Sequence, residues 1–146
     1  RAHGHGQRVA VFQFLKTERE NGEARVLRSL GIHCQQYGSG RWLVGREPDP
    51  EELALAAKGW ADVTRAVAGG FQLVVLDELS HAVNGGLLPL AQVKALVAEA
   101  PTNVELVLTG REMPEELLAL ADLITELRAV KHPFARGIGA RKGIEY

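Results

Sequence analysis

Two adjacent carboxylates at the end of an apolar run are the residues of this sequence best placed to do chemistry. Leu73, Val74, Val75 and Leu76 form an unbroken apolar stretch, and Asp77 and Glu78 follow at once. The length and β-branched content of the run predict a strand buried on both faces, as in the middle of a parallel sheet. In open α/β sheets the carboxyl ends of the strands are where ligands bind. Two carboxylates on a hydrophobic strand end are costly to bury unless something positive meets them. A divalent cation carrying a nucleotide's phosphates would do so. The plainer alternative is a strand that ends in a solvated acidic turn.

Two cations occupy comparable positions. Lys16 stands just past a second apolar run, residues 9–14, and Arg111 follows a third, residues 104–108, after Thr109 and Gly110. Either can reach phosphates lying over the strand ends, and the charge of Arg111 is permanent. Gln13 interrupts its run, so it is either hydrogen-bonded in the core or aimed at a ligand. His81 has no neighbour in sequence to orient it as an acid or base and reads as a bystander or a packing residue. His3 and His5 lack a third ligand and read as surface turn residues.

The chain that must position these groups has 146 residues and a formal net charge of −1. That length suits a single domain with a real core. A charge so near zero gives no case for nucleic acid or an anionic membrane as a partner. Cys34 is the only cysteine, which rules out a disulfide framework and points to the reducing cytoplasm. No apolar run reaches membrane-spanning length. The opening residues 1–6 lack an initiator Met and read as the frayed end of a helix stopped by Gly4 and Gly6, with native sequence expected upstream.

Strands and helices are predicted to alternate, giving a parallel α/β sheet with right-handed crossovers. After the first strand, a helix is expected over residues 21–30 with Val26, Leu27 and Leu30 inward, stopped by Gly31. A weak, polar strand over 32–37 belongs near a sheet edge. The stretch 37–46 is glycine-rich and carries Arg41, Trp42 and Arg46, as a flexible lid over a large flat ligand would; the equally common alternative is a surface loop whose Trp42 tucks into the core. Asp49, Pro50, Glu51 and Glu52 form a strong helix start. Leu53, Ala56, Ala57, Trp60, Val63, Thr64 and Val67 form its expected buried stripe. Residues 80–86 read as turns. Pro89 opens a helix with Val93, Leu96 and Val97 inward. Pro114 starts another that runs to about Ala121, and residues 123–127 read as a final strand. The basic, glycine-containing tail 128–146 is irregular, with Val130, Phe134, Ile138, Ile144 and Tyr146 expected to pack back on the domain.

Taken together, these stretches resemble the ATP:corrinoid adenosyltransferases over nearly the whole chain. The resemblance rests on residues 8–16 (Arg-Val-Ala-Val-Phe-Gln-Phe-Leu-Lys), 73–79 (Leu-Val-Val-Leu-Asp-Glu-Leu), 107–111 (Val-Leu-Thr-Gly-Arg), 130–134 (Val-Lys-His-Pro-Phe) and 142–146 (Lys-Gly-Ile-Glu-Tyr). Each is weak alone; the set in this order is specific. It implies a P-loop NTPase-like (RecA-like) α/β fold, with a mostly parallel sheet flanked by helices. It also implies transfer of the 5′-deoxyadenosyl group of ATP to the cobalt of a cob(I) corrinoid, with release of triphosphate. By the same resemblance Glu78, with Asp77 beside it, would hold Mg²⁺, and Lys16 and Arg111 would contact phosphate or nucleotide. Gly38, Gly40, Arg41 and Trp42 would belong to the segment covering the corrin ring, where some members carry a Phe and Trp pair. A cytoplasmic homodimer and an electron-donating flavoprotein are further implications.

One departure bears on all of this. The family's glycine-rich phosphate loop ending in Gly-Lys-Thr, with its strand, does not occur in these residues. That loop's amides and lysine hold phosphates, and its Thr ligates the cation. Its strand is expected in the middle of the sheet, leaving a hydrophobic slot beside Leu73 to Leu76, and without it the chain should bind ATP poorly. Two other readings stay open: a regulatory or scaffold domain that binds nucleotide without turnover, and an ordinary P-loop ATPase or kinase. The tail and the lack of an evident catalytic base argue against the last.

Overall fold

The structure is a computed structural model and describes residues 1–17, 22–41, 43 and 45–144. Four strands, β1 (Val9–Gln13), β2 (His33–Gln36), β3 (Leu73–Asp77) and β4 (Glu105–Leu108), form one all-parallel sheet in the order β2-β1-β3-β4. From β1 the chain runs outward to β2 and then returns to the other side of β1 for β3 and β4. The loops leaving β1 and β3 therefore diverge at their carboxyl ends. This is the topological switch point at which open α/β sheets bind ligands.

The helices follow local chemistry. In α2 (Pro50–Ala68), Asp49 accepts a hydrogen bond from the Glu52 amide and the Glu52 side chain accepts from the Asp49 amide, a complete capping box. The inward face holds Glu52, Ala56, Gly59, Trp60, Val63, Ala66 and Val67. Leu53, Ala57 and Thr64 lie outside it, so the buried stripe is rotated from the expected one. Trp60 is core, as the helical spacing indicated. Ala10 and Phe12 of β1 sit in register with Val74 and Leu76 of β3, and all four are fully buried in the same cluster as α2. In place of the turns expected over residues 80–86, a short helix, α3 (Leu79–Asn84), forms with Leu79, Ser80 and Ala82 buried. α4 (Leu90–Glu99) buries Val93 and packs Leu96 and Val97 on the core as expected.

Several expectations are corrected. β3 is buried on one face only: Leu73 and Val75 on the other are half-exposed. No slot opens beside Leu73 to Leu76, because β1 and β4 pair with β3 on its two sides. What is uncovered is a sheet face, with Val11, Val75 and Val107 aligned across three strands and Val107 41% exposed. β4 is an edge strand rather than a buried one. In α1 (Gly22–Ser29) only Ala24 is buried, while Val26 and Leu30 are exposed; the helix packs chiefly on the edge strand β2. α5 is one turn long (Glu115–Leu118). Residues 123–127 form no strand, and Leu123 and Leu127 stand almost fully in solvent. The tail stays irregular apart from a 3₁₀ turn (Pro133–Arg136), but it does not pack back: Val130, Phe134 and Ile144 are exposed. Tyr146 lies outside the described residues.

Candidate nucleotide site at the strand ends

Each strand of the sheet brings a polar side chain to its carboxyl end, and these residues bond one to the next. On β2, Gln36 Nε2 donates to Gln13 Oε1 at 2.9 Å. On β1, Gln13 Nε2 donates to Asp77 Oδ2 at 2.9 Å. From the end of β4, the Thr109 hydroxyl donates to Asp77 Oδ1 at 2.9 Å and accepts from the Glu78 amide at 3.1 Å. The register makes this chain of bonds: Gln13 is aligned with Gln36 on one side and with Asp77 on the other.

Lys16 completes the cluster, its Nζ 3.1 Å from Asp77 Oδ2 and 2.8 Å from Glu23 Oε1. Burial by itself would raise the Asp77 carboxyl, but hydrogen bonds from Gln13, Thr109 and Lys16 outweigh it and leave its pKa below the ordinary value. Burial likewise opposes the charge on Lys16, and bonds to Glu23 and Asp77 reverse that and raise its pKa. Lys16 is thus tied to two carboxylates.

Glu78 is placed differently. It follows Asp77 with φ 60° and ψ 25°, a left-handed conformation that costs a non-glycine residue about 1–2 kcal/mol. The Thr109 hydroxyl on its amide and the first turn of α3 on its carbonyl hold it there. Its side chain is 39% exposed and approaches His81 Nδ1 to 2.7 Å without the alignment of a hydrogen bond. His81 therefore borders the acidic pair, where the sequence marked it a bystander.

Arg111 is brought to the same rim. Gly110 adopts φ 144°, and a Cβ there would run into Ser80. The close approach lets the Ser80 hydroxyl donate to the Arg111 carbonyl at 2.6 Å, while Asn84 Nδ2 donates to the Glu112 carbonyl at 2.9 Å. The loop after β4 is thereby clamped to α3, with the Arg111 side chain exposed.

The glycine-rich loop begins beside Lys16. The Gly38 amide donates to the Lys16 carbonyl at 2.9 Å, and a Cβ on Gly38 would strike the backbone of Leu15 and Lys16. Gly40 has φ 79°, and a Cβ there would crowd the Thr17 methyl. Both glycines serve close packing rather than flexibility. Arg41 turns back onto the start of α2, 2.6 Å from Asp49 Oδ2 and 3.3 Å from Glu51 Oε2. Trp42 lies outside the described residues.

No group of three or more His, Cys, Asp or Glu able to hold a metal occurs among the described residues. The acidic pair fits the other way of binding Mg²⁺, in which one or two carboxylates share the ion with substrate phosphates and water. Of the two, Glu78 has the exposure for that role, while both Asp77 oxygens already accept hydrogen bonds.

Fold and site together define an all-parallel α/β domain consistent with the P-loop NTPase-like class, with its candidate site at the switch point and an acidic pair at the end of β3. Residues 1–146 match the model of the family described as ATP:corrinoid adenosyltransferase BtuR/CobO/CobP, and the chain belongs to that family. It is 38% identical over 149 residues to the corrinoid adenosyltransferase of Escherichia coli (strain K12), covering 100% of this chain and 74% of that one. It is 36% identical over 147 residues to corrinoid adenosyltransferase CobA of Salmonella typhimurium (strain LT2), with coverage of 100% and 74%. The corrinoid adenosyltransferase of Pseudomonas aeruginosa PAO1 is 34% identical over 148 residues, with coverage of 100% and 73%.

Proposed function

We propose that this chain positions ATP and a reduced corrinoid for adenosyl transfer. Cobalt of the cob(I) corrinoid attacks C5′ of the ribose, a Co–C bond forms, and the C5′–O bond breaks with its electron pair leaving on triphosphate. Because cobalt is the nucleophile, the protein needs no Ser, Cys or His base; it has to align the reactants and stabilise the leaving group. The observation that carries this reading is the contrast at the end of β3, where both Asp77 oxygens already accept hydrogen bonds and Glu78 is presented at the rim, with Arg111 on the loop that follows β4. In this reading Glu78 holds Mg²⁺, with Asp77 fixing the strand end behind it. Mg²⁺ supplies charge neutralisation for the departing triphosphate. Arg111 contacts the phosphates, and Lys16 joins it when nucleotide displaces one of its carboxylates. Gly38, Gly40, Arg41 and Trp42 belong to the corrinoid side.

The same reading assigns a cytoplasmic homodimer that takes electrons from a flavoprotein. Among the described residues no helix is long and apolar enough to cross a membrane. The direct test is incubation of the complete gene product with ATP, Mg²⁺ and reduced corrinoid. Adenosylated corrinoid and triphosphate in equal amounts are expected; ADP formed without corrinoid would refute the transferase. Trp42→Ala should raise the KM for corrinoid more than that for ATP, and equal effects would remove it from the corrinoid side. Sequencing upstream of Arg1 adds a cheap check: a Gly-Lys-Thr loop there supports turnover, and its lack favours a domain that binds nucleotide without it.

A further inference from the structure

Glu52 is a carboxylate only 4% exposed, the third residue of the capped helix α2 and away from the acidic pair. Its two oxygens accept from four donors. Oε1 takes the Ser39 hydroxyl at 2.7 Å and Arg46 Nη2 at 2.6 Å. Oε2 takes Arg46 Nη1 at 2.8 Å and the Asp49 amide at 3.0 Å. Ser39 lies on the incoming limb of the glycine-rich loop, Arg46 and Asp49 on the outgoing limb. Arg41 ties the limbs a second time through Asp49. Ser39 Oγ also accepts from the Arg41 amide at 3.2 Å, which fixes the turn leading into the loop. A helix cap alone needs one of these four bonds; the other three serve the loop. The forked pairing of guanidinium with carboxylate sets direction as well as distance.

We propose that Glu52 is a positioning residue for the corrinoid: it staples residues 38–41 to residues 45–49, so that the substrate meets a preformed platform instead of a flexible lid. A rigid platform lowers the ordering cost of binding a large planar ligand. The proposal rests on the reading of this loop as the corrinoid side. Glu52 acts through Ser39, Arg41 and Arg46.

The test uses two variants of the complete gene product. Glu52→Ala removes staple and cap box together; Arg46→Gln removes the fork and leaves the Asp49–Glu52 box intact. Amide hydrogen exchange at Gly38 and Arg41 should quicken about tenfold or more in both, since local opening sets protection, while α2 of Arg46→Gln keeps the native rate. Steady-state kinetics should show the KM for corrinoid rising by a similar factor with the KM for ATP unchanged. Unchanged exchange at Gly38 and Arg41 in both variants overturns the staple. Faster exchange with an unchanged corrinoid KM overturns the assignment of the loop to corrinoid and with it the positioning role. Parallel rises in both KM values overturn it too, by marking a general loss of structure.

Discussion

The strand ends around Asp77 and the tail around Phe134 both carry stretches on which the family resemblance rests, and the structure holds them in opposite ways. At the strand ends, Gln36, Gln13, Asp77, Thr109 and the Glu78 amide form a continuous chain of hydrogen bonds, clamped from the side by Ser80 and Asn84. In the tail, Val130 is 86% exposed and Phe134 77% exposed, and the described backbone hydrogen bonds are short-range ones, in and around a 3₁₀ turn and at Val130 and Ile144. The first region is rigid by construction of the sheet and can present Glu78 and Arg111 before any ligand arrives. The second contributes no core, so substitutions in it should leave stability alone.

The largest expected effect sharpens the division within the first region. Glu78→Gln should lower kcat by roughly 10²–10³, the usual loss when a group stabilising transition-state charge is removed, with the melting temperature nearly unchanged. A rate within a few-fold of the parent would remove Glu78 from the site. Leu76→Ala, under the same strand end, should cost about 2–5 kcal/mol in urea unfolding because it empties a fully buried position.

Gly110→Ala comes next. The added methyl meets Ser80 at a backbone angle side chains rarely adopt, and a loss of roughly 1–3 kcal/mol is expected. Asp77→Asn should cost a comparable amount, about 1–3 kcal/mol, through the part-buried donors it leaves imperfectly paired. Its pH dependence has a definite sign. The folded pKa of Asp77 lies below the ordinary 3.8, so its stabilisation is present above that value and fades as the pH falls through the lower folded value. The gap between parent and Asp77→Asn should therefore be full at neutral pH and shrink below 3.8; a gap that widened in acid would contradict the network. The smallest effect breaks the comparison from the other side. Phe134→Ala should change stability by less than about 0.5 kcal/mol, and a loss near that of Leu76→Ala would mean that the tail packs.

Much of the strand-end geometry was legible in the sequence because β-branched runs, glycine stops and the Asp-Pro-Glu-Glu helix start act locally. Asp77, Glu78, Lys16 and Arg111 could be assigned to strand ends from their place after apolar runs. Their division of labour could not, because it depends on register. Only the alignment of Gln13 with both Gln36 and Asp77 shows that Asp77 is occupied, and only the closeness of β4 reveals Thr109. A polar residue closing each of four strands was the available signal. Glu52 was read as a helix-start acid because nothing local announces Arg46 and Ser39 as its partners. Residues 123–127 show the converse: their composition is that of a strand, but composition alone does not bring them to the free edge of the sheet.

The central claim, that Glu78 meets the cation while Asp77 braces the strand end behind it, is tested most directly by Mn²⁺ standing in for Mg²⁺. Electron paramagnetic resonance on the complete gene product with ATP would follow Mn²⁺ binding in the parent, Glu78→Gln and Asp77→Glu. Weakening of Mn²⁺–ATP binding by about tenfold or more in Glu78→Gln, with the parent tight, is the predicted result. Equal binding by parent and Glu78→Gln, with loss confined to Asp77→Glu, would contradict it.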